Sequence, residues 1–249
     1  MSRSWLEDAL RMTGLQSDGR FPRDLLADAS MHLPVSVVPL PRLSAHAVRR
    51  WLEDRSIQHQ VAEADRALHG CLVARAGKAI LFIDADDDEA ESRFTLAHEI
   101  AHFILDHLLP RLRILKAFGE RIRPVLDGER APTPEEMVSA VLDRVNLGLQ
   151  VHLMSRGPGG AICAWDVEDS EQRADRFALE LLAPGHNVVA ALRAQLGEFE
   201  LVDRQDEAAQ YIAARFGLPG HVAASYVRHL AGKGRPRQRL SEMLLGSKR

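Results

Sequence analysis

The sequence predicts an α+β fold that is mostly helical, with a small antiparallel sheet packed against one buried helix and a helical C-terminal region. Two apolar runs at 71–76 and 79–84, joined by Gly77-Lys78, indicate a β-hairpin. The stretch from Phe94 to Leu109 is almost entirely apolar, which is typical of a buried helix. Amphipathic helical patterns separated by Gly and Pro follow it to the C-terminal region.

Composition narrows the class of protein. The chain has 249 residues, a net charge of −3 and 46% hydrophobic residues, which excludes a strongly basic nucleic-acid binder. Two cysteines, Cys71 and Cys163, provide no disulfide framework, so we expect the reducing cytoplasm. The N-terminus carries charges where a signal peptide would be apolar, and no apolar window is long enough to span a membrane.

The N-terminal part predicts alternating helices and a strand. A weak helical pattern covers 4–13, and Pro22 is expected to begin a second helix that runs to about Met31. The run 35–40 predicts a short strand whose Pro39 indicates an edge or an approaching end. Ser44 is the expected N-cap of a helix over 45–54.

An acidic run connects the hairpin to the buried helix. Its spacing of Asp84, Asp86 and Asp88 allows a calcium loop, but Glu89 stands where that loop needs Gly and Thr95 where it needs Glu. We therefore interpret these carboxylates as caps and favourable charges at the N-terminus of the following helix.

The buried helix carries the sequence His-Glu-x-x-His at residues 98–102. At about 100° per residue, its polar side chains share one narrow arc; they are Thr95, His98, Glu99, His102 and Asp106. A polar stripe on a buried helix needs a partner, because unpaired buried polar groups cost free energy. A divalent metal ion is the natural partner, and a self-satisfied pair of core histidines is the alternative. We expect the helix to end at Pro110.

The middle of the chain is less regular. A basic amphipathic helix is predicted over 111–123, and another helix from Pro134 or Glu135 to Leu147. The stretch 149–165 predicts a second hairpin or a long loop.

A second helix completes the candidate site. It is expected to begin at a cap formed by Asp169 or Ser170 and to end at Pro184. One side of its helical wheel carries Glu171, Ala174, Asp175, Ala178 and Leu182. The two alanines allow close approach to the His-Glu-x-x-His helix, which would let Glu171 reach the metal. The alternative is that Glu171 is an ordinary surface carboxylate near a helix N-terminus.

Two further helical patterns, 206–215 and 219–230, are joined by Phe216-Gly-Leu-Pro. They resemble a helix-turn-helix, but we favour a plain helical hairpin packed on the core. A basic tail with Gly and Pro begins at 232.

Taken together, these motifs resemble the ImmA/IrrE family of metallopeptidases. The residues that carry the resemblance are Arg93-Phe94-Thr95-Leu96-Ala97-His98-Glu99-Ile100-Ala101-His102 and Glu171-x-x-Ala174-Asp175-x-Phe177-Ala178-x-x-Leu181-Leu182-x-Pro184. The hairpin 70–84 and the stretch 213–219 are also similar to that family. The resemblance is strong over about 68–110 and 168–230.

The resemblance implies a gluzincin-like site. His98, His102 and Glu171 would be zinc ligands, Glu99 the general base, and Asp175 the acid that orients a ligand histidine. It further implies a cytoplasmic enzyme that cleaves or inactivates a DNA-binding regulator, often of helix-turn-helix type, in stress or mobile-element control. Manganese and iron stay open as alternatives to zinc.

The chain departs from the family in one respect. His102 and Glu171 are 69 positions apart, and family members usually have a much shorter connection. We therefore expect three regions: an N-terminal helical segment with a short strand over 1–60, a zinc peptidase core over 61–200 with an insertion at about 111–165, and a C-terminal helical region with a basic tail over 201–249.

Two functions follow from these residues. Three protein ligands leave a fourth position for water, which Glu99 could deprotonate, and this predicts a zinc endopeptidase. Candidates for stabilising the oxyanion are His152, His186, Tyr211 and Tyr226. The alternative is a catalytically silent, metal-stabilised module that binds a regulator protein, or DNA through residues 206–239. A fourth protein ligand, from Cys163, His107 or His152, would favour this second function.

Overall fold

The structure is a computed structural model that describes residues 4–61, 64–142, 147–155, 165–196 and 204–233. These residues form the predicted α+β fold, with most of them in helices. The strands are β1 Val35–Leu40, β2 Leu68–Arg75, β3 Lys78–Asp84 and β4 Gln150–Ser155. The helices are α1 Ser4–Thr13, α2 Leu25–His32, α3 Ala45–Glu53, α4 Glu89–His102, α5 Leu109–Phe118, α6 Arg123–Leu126, α7 Pro134–Leu142, α8 Trp165–Leu182, α9 Gly185–Leu196, α10 Gln205–Phe216 and α11 Gly220–Lys233.

The sheet is mixed, not antiparallel as the sequence predicted. Its strand order is β1-β3-β2-β4, and β1 runs parallel to β3 while the other pairs are antiparallel. The parallel pair arises because α3 lies between β1 and the hairpin in the chain and provides the long connection that such a pair requires. Both hairpin strands are central, so the described edges of the sheet are β1 and β4.

Alternating side chains along the sheet face two different layers. Cys71, Val73 and Phe82 pack in one cluster with residues of α3. Leu72 and Leu81 belong to the main core that contains the buried residues of α4 and α8. The period of two in a strand therefore assigns residues 70, 72 and 74 of β2 to the face that α4 covers.

Two predicted N-caps are confirmed, and the helix start predicted at Pro22 is wrong. The side chain of Ser44 accepts from the Ala47 N–H, and Asp88 accepts from the Glu91 N–H at the start of α4. The acidic run thus caps the helix, as expected. Pro22 does not begin the second helix, because Asp24 caps α2 instead.

Pro110 does not end the buried helix. After α4 the chain makes a π-helix over Phe103–Leu108 and continues directly into α5, with Pro110 in the first turn. The Leu109 N–H bonds to the Ile104 carbonyl, five residues back. Proline has no N–H to donate, and it is tolerated in the first turn of a helix. The change of hydrogen-bond register in the π-helix therefore lets the chain continue as a helix through Pro110.

The helix that carries Glu171 begins earlier than predicted, at Trp165, and lies against α4. Ala97 and Ala101 of α4 and Ala174 and Ala178 of α8 are all buried in the main core. These small side chains allow the two backbones to approach closely, as the sequence pattern indicated.

The C-terminal helices pack on the core through apolar faces. The buried side of α10 includes Ile212 and Phe216, and that of α11 includes Ala223 and Val227. Arg93 of α4 donates to the Gly217 carbonyl at 2.9 Å, which ties the turn between the two helices to the central helix.

Some expectations lie outside these observations. Cys163, residues 143–146 and the basic tail from 234 are outside the described residues. Of the helices that the structure describes, none combines the length and apolar character needed to cross a bilayer. The domain boundaries stay a prediction.

Candidate metal centre

The two histidines of α4 face each other inside the protein. His98 and His102 are each 2% exposed, and their Nε2 atoms are 3.1 Å apart. One helical turn separates them, so both rings project from the same side of α4.

Glu171 of α8 reaches both histidines. Its Oε2 lies 3.3 Å from the His98 Nε2, and its Oε1 lies 3.5 Å from the His102 Nε2. Four ligands placed tetrahedrally at a zinc–ligand distance of about 2.0–2.1 Å are separated by roughly 3.3 Å. The three donor atoms therefore have the separations expected around one ion.

Each histidine uses its other nitrogen to contact a carboxylate. The Nδ1 of His98 is 2.9 Å from Asp175 Oδ1, and the Nδ1 of His102 is 2.8 Å from Asp106 Oδ2. Asp106 is in turn held by the hydroxyl of Ser170, which donates at 3.0 Å. Donation from Nδ1 leaves Nε2 of a neutral ring as an acceptor, which is the form that binds a metal.

Replacing Asp175 by Asn is expected to weaken zinc affinity about 10- to 100-fold, since the carboxylate that fixes the His98 ring is lost. Isothermal titration of the metal-free protein with zinc measures the change. Glu180→Gln, on the same helix but hydrogen-bonded to the Gly185 N–H, is the matched control. Equal zinc affinity in both variants would show that Asp175 does not orient His98.

Glu99 lies beside the cluster and is completely buried. Its Oε1 has no hydrogen-bond partner among the described residues, while its Oε2 contacts His152. A Cβ built on Gly70 would lie 2.8 Å from Glu99 Oε1 and 2.6 Å from Thr95 Cγ2. Strand β2 therefore needs glycine at this position to let the Glu99 carboxylate sit where it does.

Gly70→Ala is expected to destabilise the fold by about 1–3 kcal/mol, because the new methyl group overpacks against Thr95 and the carboxylate of Glu99. Urea unfolding of the metal-free protein measures the difference. Gly220→Ala is the control, because a Cβ there would meet nothing within 4 Å. Equal unfolding free energies for both variants would contradict the close approach at Gly70.

A third histidine joins the cluster from β4. His152 is paired with Leu72 in the β2–β4 register, so its side chain faces α4. Its Nδ1 is 3.1 Å from Glu99 Oε2, and its Nε2 is 3.0 Å from Glu171 Oε1. Its ring stacks on that of His102, with centroids 3.8 Å apart. The nitrogen and oxygen donors of all four residues lie within 4.8 Å of one another; the four are His98, His102, His152 and Glu171.

The cluster stabilises positive charge. Burial alone would lower the pKa of His98, but its hydrogen bonds to Asp175 and Glu171 raise that pKa to about 9. Burial would also lower the pKa of His152, but the negative charge of Glu99 raises that pKa to about 10. Burial would raise the pKa of Glu171, but hydrogen bonds from the three histidines hold it well below its usual range.

These residues fit a divalent metal ion. With Nδ1 of His98 and His102 facing carboxylates, two Nε2 lone pairs and the Glu171 carboxylate converge on one point. Without a positive charge there, the three acceptors would repel one another. Two or three imidazoles and one carboxylate are a donor set typical of zinc.

A cavity of about 1250 Å³ opens next to this cluster. Asp175, which contacts His98, is among its lining residues, and side chains of α1, α8, α9 and α11 form most of the remaining wall. Its lining carries charges of both signs; the charged side chains are Glu7, Arg173, Asp175, Arg176, Glu180 and Arg193.

The structure brings all the predicted site residues together: His98, Glu99, His102, Glu171 and Asp175 are contiguous. It adds two that the sequence reasoning did not assign. Asp106 was in the polar stripe, at the (i, i+4) spacing from His102, which was a signal for this contact. His152 was one of several candidates for the oxyanion and for a fourth ligand, because a single histidine in a short strand gives no spacing signal that selects it.

The other named candidates lie elsewhere. His107 accepts from the Gly77 N–H at 3.1 Å and is outside the metal-ligand group. His186 and Tyr226 line the cavity, and the Tyr226 hydroxyl donates to the Ala183 carbonyl at 3.1 Å. Tyr211 packs against the main core, partly buried.

Comparison with known proteins gives one family match. Residues 56–124 match the model of the Peptidase_M78 family, described as an IrrE N-terminal-like domain. The match covers β2, β3 and α4, including the His-Glu-x-x-His sequence, and amounts to just over a quarter of the chain. A search of curated proteins finds no match.

Proposed function

We propose that this member of the ImmA/IrrE family is a zinc-dependent endopeptidase. The observation that carries the proposal is the position of Glu99. Its buried carboxylate lies beside two histidines and a glutamate that suit one metal ion, yet it is outside that group of ligands. A metal site that only stabilised the fold would have no use for a buried carboxylate placed next to it.

The residues around the cluster would have separate roles in peptide hydrolysis. Zinc, when bound, would supply a water molecule of lowered pKa and polarise the peptide carbonyl. Glu99 would accept the proton of the attacking water and pass it to the leaving nitrogen. Asp175 and Asp106 would hold the rings of His98 and His102 in the orientation that directs both Nε2 atoms inward.

The proposed substrate is a cytoplasmic DNA-binding regulator, of repressor or antitoxin type, cut in stress or mobile-element control. The family resemblance supports this choice. The cavity supports a protein substrate more generally, because it adjoins His98 through Asp175 and has room for several side chains.

Metal removal tests the activity. The protein is stripped with a chelator, dialysed, and incubated with a proteome-derived peptide library with or without one equivalent of zinc. Mass spectrometry is expected to find new peptide ends only when zinc is present. Absence of zinc-dependent cleavage, both in the unmodified chain and in His152→Ala, would contradict the proposal. Manganese and iron replace zinc in parallel reactions to identify the metal that supports the highest rate.

A second candidate function is a catalytically silent, metal-stabilised module that binds a regulator protein or DNA. The specific observation in its favour is His152, because a fourth protein ligand is typical of structural zinc sites. For DNA, the exposed residues of α11, among them His221 and Ser225, would make the contacts. A gel-shift assay over a range of salt concentrations tests DNA binding directly.

A further inference from the structure

His152 lies within hydrogen-bond distance of one carboxylate oxygen of Glu99, the proposed general base. A general base must lie about 2.6–3.2 Å from the atom whose proton it takes. The atom at that distance from Glu99 Oε2 is His152 Nδ1, at 3.1 Å. The other nitrogen of the same ring is 3.0 Å from Glu171 Oε1, so the imidazole fills the space between the base and the proposed ligands.

Strand β4 also pairs with the side of β2 that would otherwise be an edge of the sheet. Strand β2 borders the site, because Gly70 abuts Glu99. Extended peptides commonly bind by pairing with such an edge. Here β4 already pairs with β2 from Gly70 to Ala74, in an antiparallel ladder. A substrate that used this edge would have to displace β4.

The sequence places β4 within the long connection between the two ligand helices. Its residues lie between His102 and Glu171, within the connection of 69 positions that is longer than is usual in the family that the chain resembles. The connection is thus more than a surface excursion, because it adds a strand to the sheet and returns a histidine to the cluster.

We infer that His152 is a fourth protein ligand that closes the metal site. Strand β4, which carries His152, would thereby act as a latch that keeps this chain in a latent state. The inference rests on the proposed peptidase function and specifies its regulation. Activity would require the His152 ring to leave the cluster, which frees both the fourth position and the access of Glu99 to water. A binding partner or substrate that pairs with β2 in place of β4 would release it.

Cobalt-substituted protein tests this inference without relying on cleavage. Its visible absorption reports the number and type of ligands, and acetohydroxamate, a small metal-binding probe, reports whether a position is open. If the open state is a minor one, populated at about 0.1–10%, then His152→Ala is expected to bind the probe about 10- to 1000-fold more tightly. The cobalt spectrum should change, while the ratio of one ion per chain persists.

Two further variants serve as controls. Val151→Ala alters the neighbouring residue of β4, which packs on the opposite face of the sheet, and should behave as the unmodified chain does. His152→Gln removes the imidazole but keeps most of the side-chain volume, so it replaces His152→Ala if that variant does not fold. Thermal unfolding confirms that each protein is folded before the titrations.

The outcomes separate the latch from the peptidase. Tighter probe binding together with faster peptide cleavage in His152→Ala supports both proposals. Tighter probe binding without any cleavage supports the latch and refutes the peptidase. Equal probe affinity and identical cobalt spectra in the unmodified chain and the variant would overturn the latch. Loss of the ion from a folded His152→Ala protein would also overturn it, because His152 would then be required to hold the metal.

Discussion

Replacing Glu99 by Gln is expected to slow peptide cleavage roughly 100- to 10,000-fold, because the amide cannot accept the proton of the attacking water. Zinc content should stay at one ion per chain, since Glu99 is not among the four residues that could hold the metal. The rate is measured by mass spectrometry on the peptides that the zinc-loaded protein cuts. The measurement is made in the unmodified chain and in the His152→Ala background, where the space beside Glu99 is free.

Glu89→Gln is the matched control for this variant. Glu89 lies in the first turn of the same helix, and its carboxylate contacts Arg93 at the surface. Its replacement should leave the cleavage rate within about twofold, as is usual for surface substitutions. If Glu99→Gln cleaves as fast as the control does, Glu99 is not the general base.

The double variant His98→Ala/His102→Ala is expected to abolish zinc binding at micromolar concentrations. It removes both imidazoles of α4 and leaves, among the described residues of the cluster, His152 and Glu171, fewer than the three protein ligands that zinc sites require. Zinc per chain, measured by mass spectrometry after gel filtration, should fall from about one to near zero. Peptide cleavage should be lost with it.

A buried histidine outside the cluster provides the comparison. His107 is 5% exposed and lies one helical turn further along, where it accepts from the Gly77 N–H. His107→Ala is expected to lower stability yet retain one zinc ion per chain. Retention of zinc by the double variant would mean that the ion binds elsewhere.

The elements that the sequence predicted well are those with a strong local signal. The helix around His98 has an apolar surface with one polar stripe, and Ser44 and Asp88 are strong N-caps. The hairpin is marked by Gly77 between two apolar runs. Each of these signals comes from residues close in sequence, so no knowledge of the tertiary structure was needed.

The errors come from tertiary context. Pro110 normally ends a helix, but the π-helix before it shifts the hydrogen-bond register and removes the conflict. The parallel pairing of β1 with β3 depends on the path through α3, which no local pattern encodes. Strand β4 is six residues long and was not separable from a loop by periodicity alone.

The candidate site likewise combines residues with a local sequence signal and a residue that tertiary structure brings in. The spacing of residues on one helix predicted His98, Glu99 and His102. Glu171 was predicted because it shares one side of a helical wheel with two alanines. His152 comes from a strand that reaches the cluster only after the sheet has formed. Its contacts with Glu99 and Glu171 therefore required the structure.

The central claim is that α4 and α8 together bind one metal ion. A crystal structure of the zinc-loaded protein, with anomalous data collected at the zinc edge, tests it most directly. The account predicts one zinc ion per chain, about 2.0–2.2 Å from Nε2 of His98, Nε2 of His102 and a carboxylate oxygen of Glu171. An ion bound elsewhere, or a zinc-free cluster with Glu171 turned away from both histidines, would contradict it.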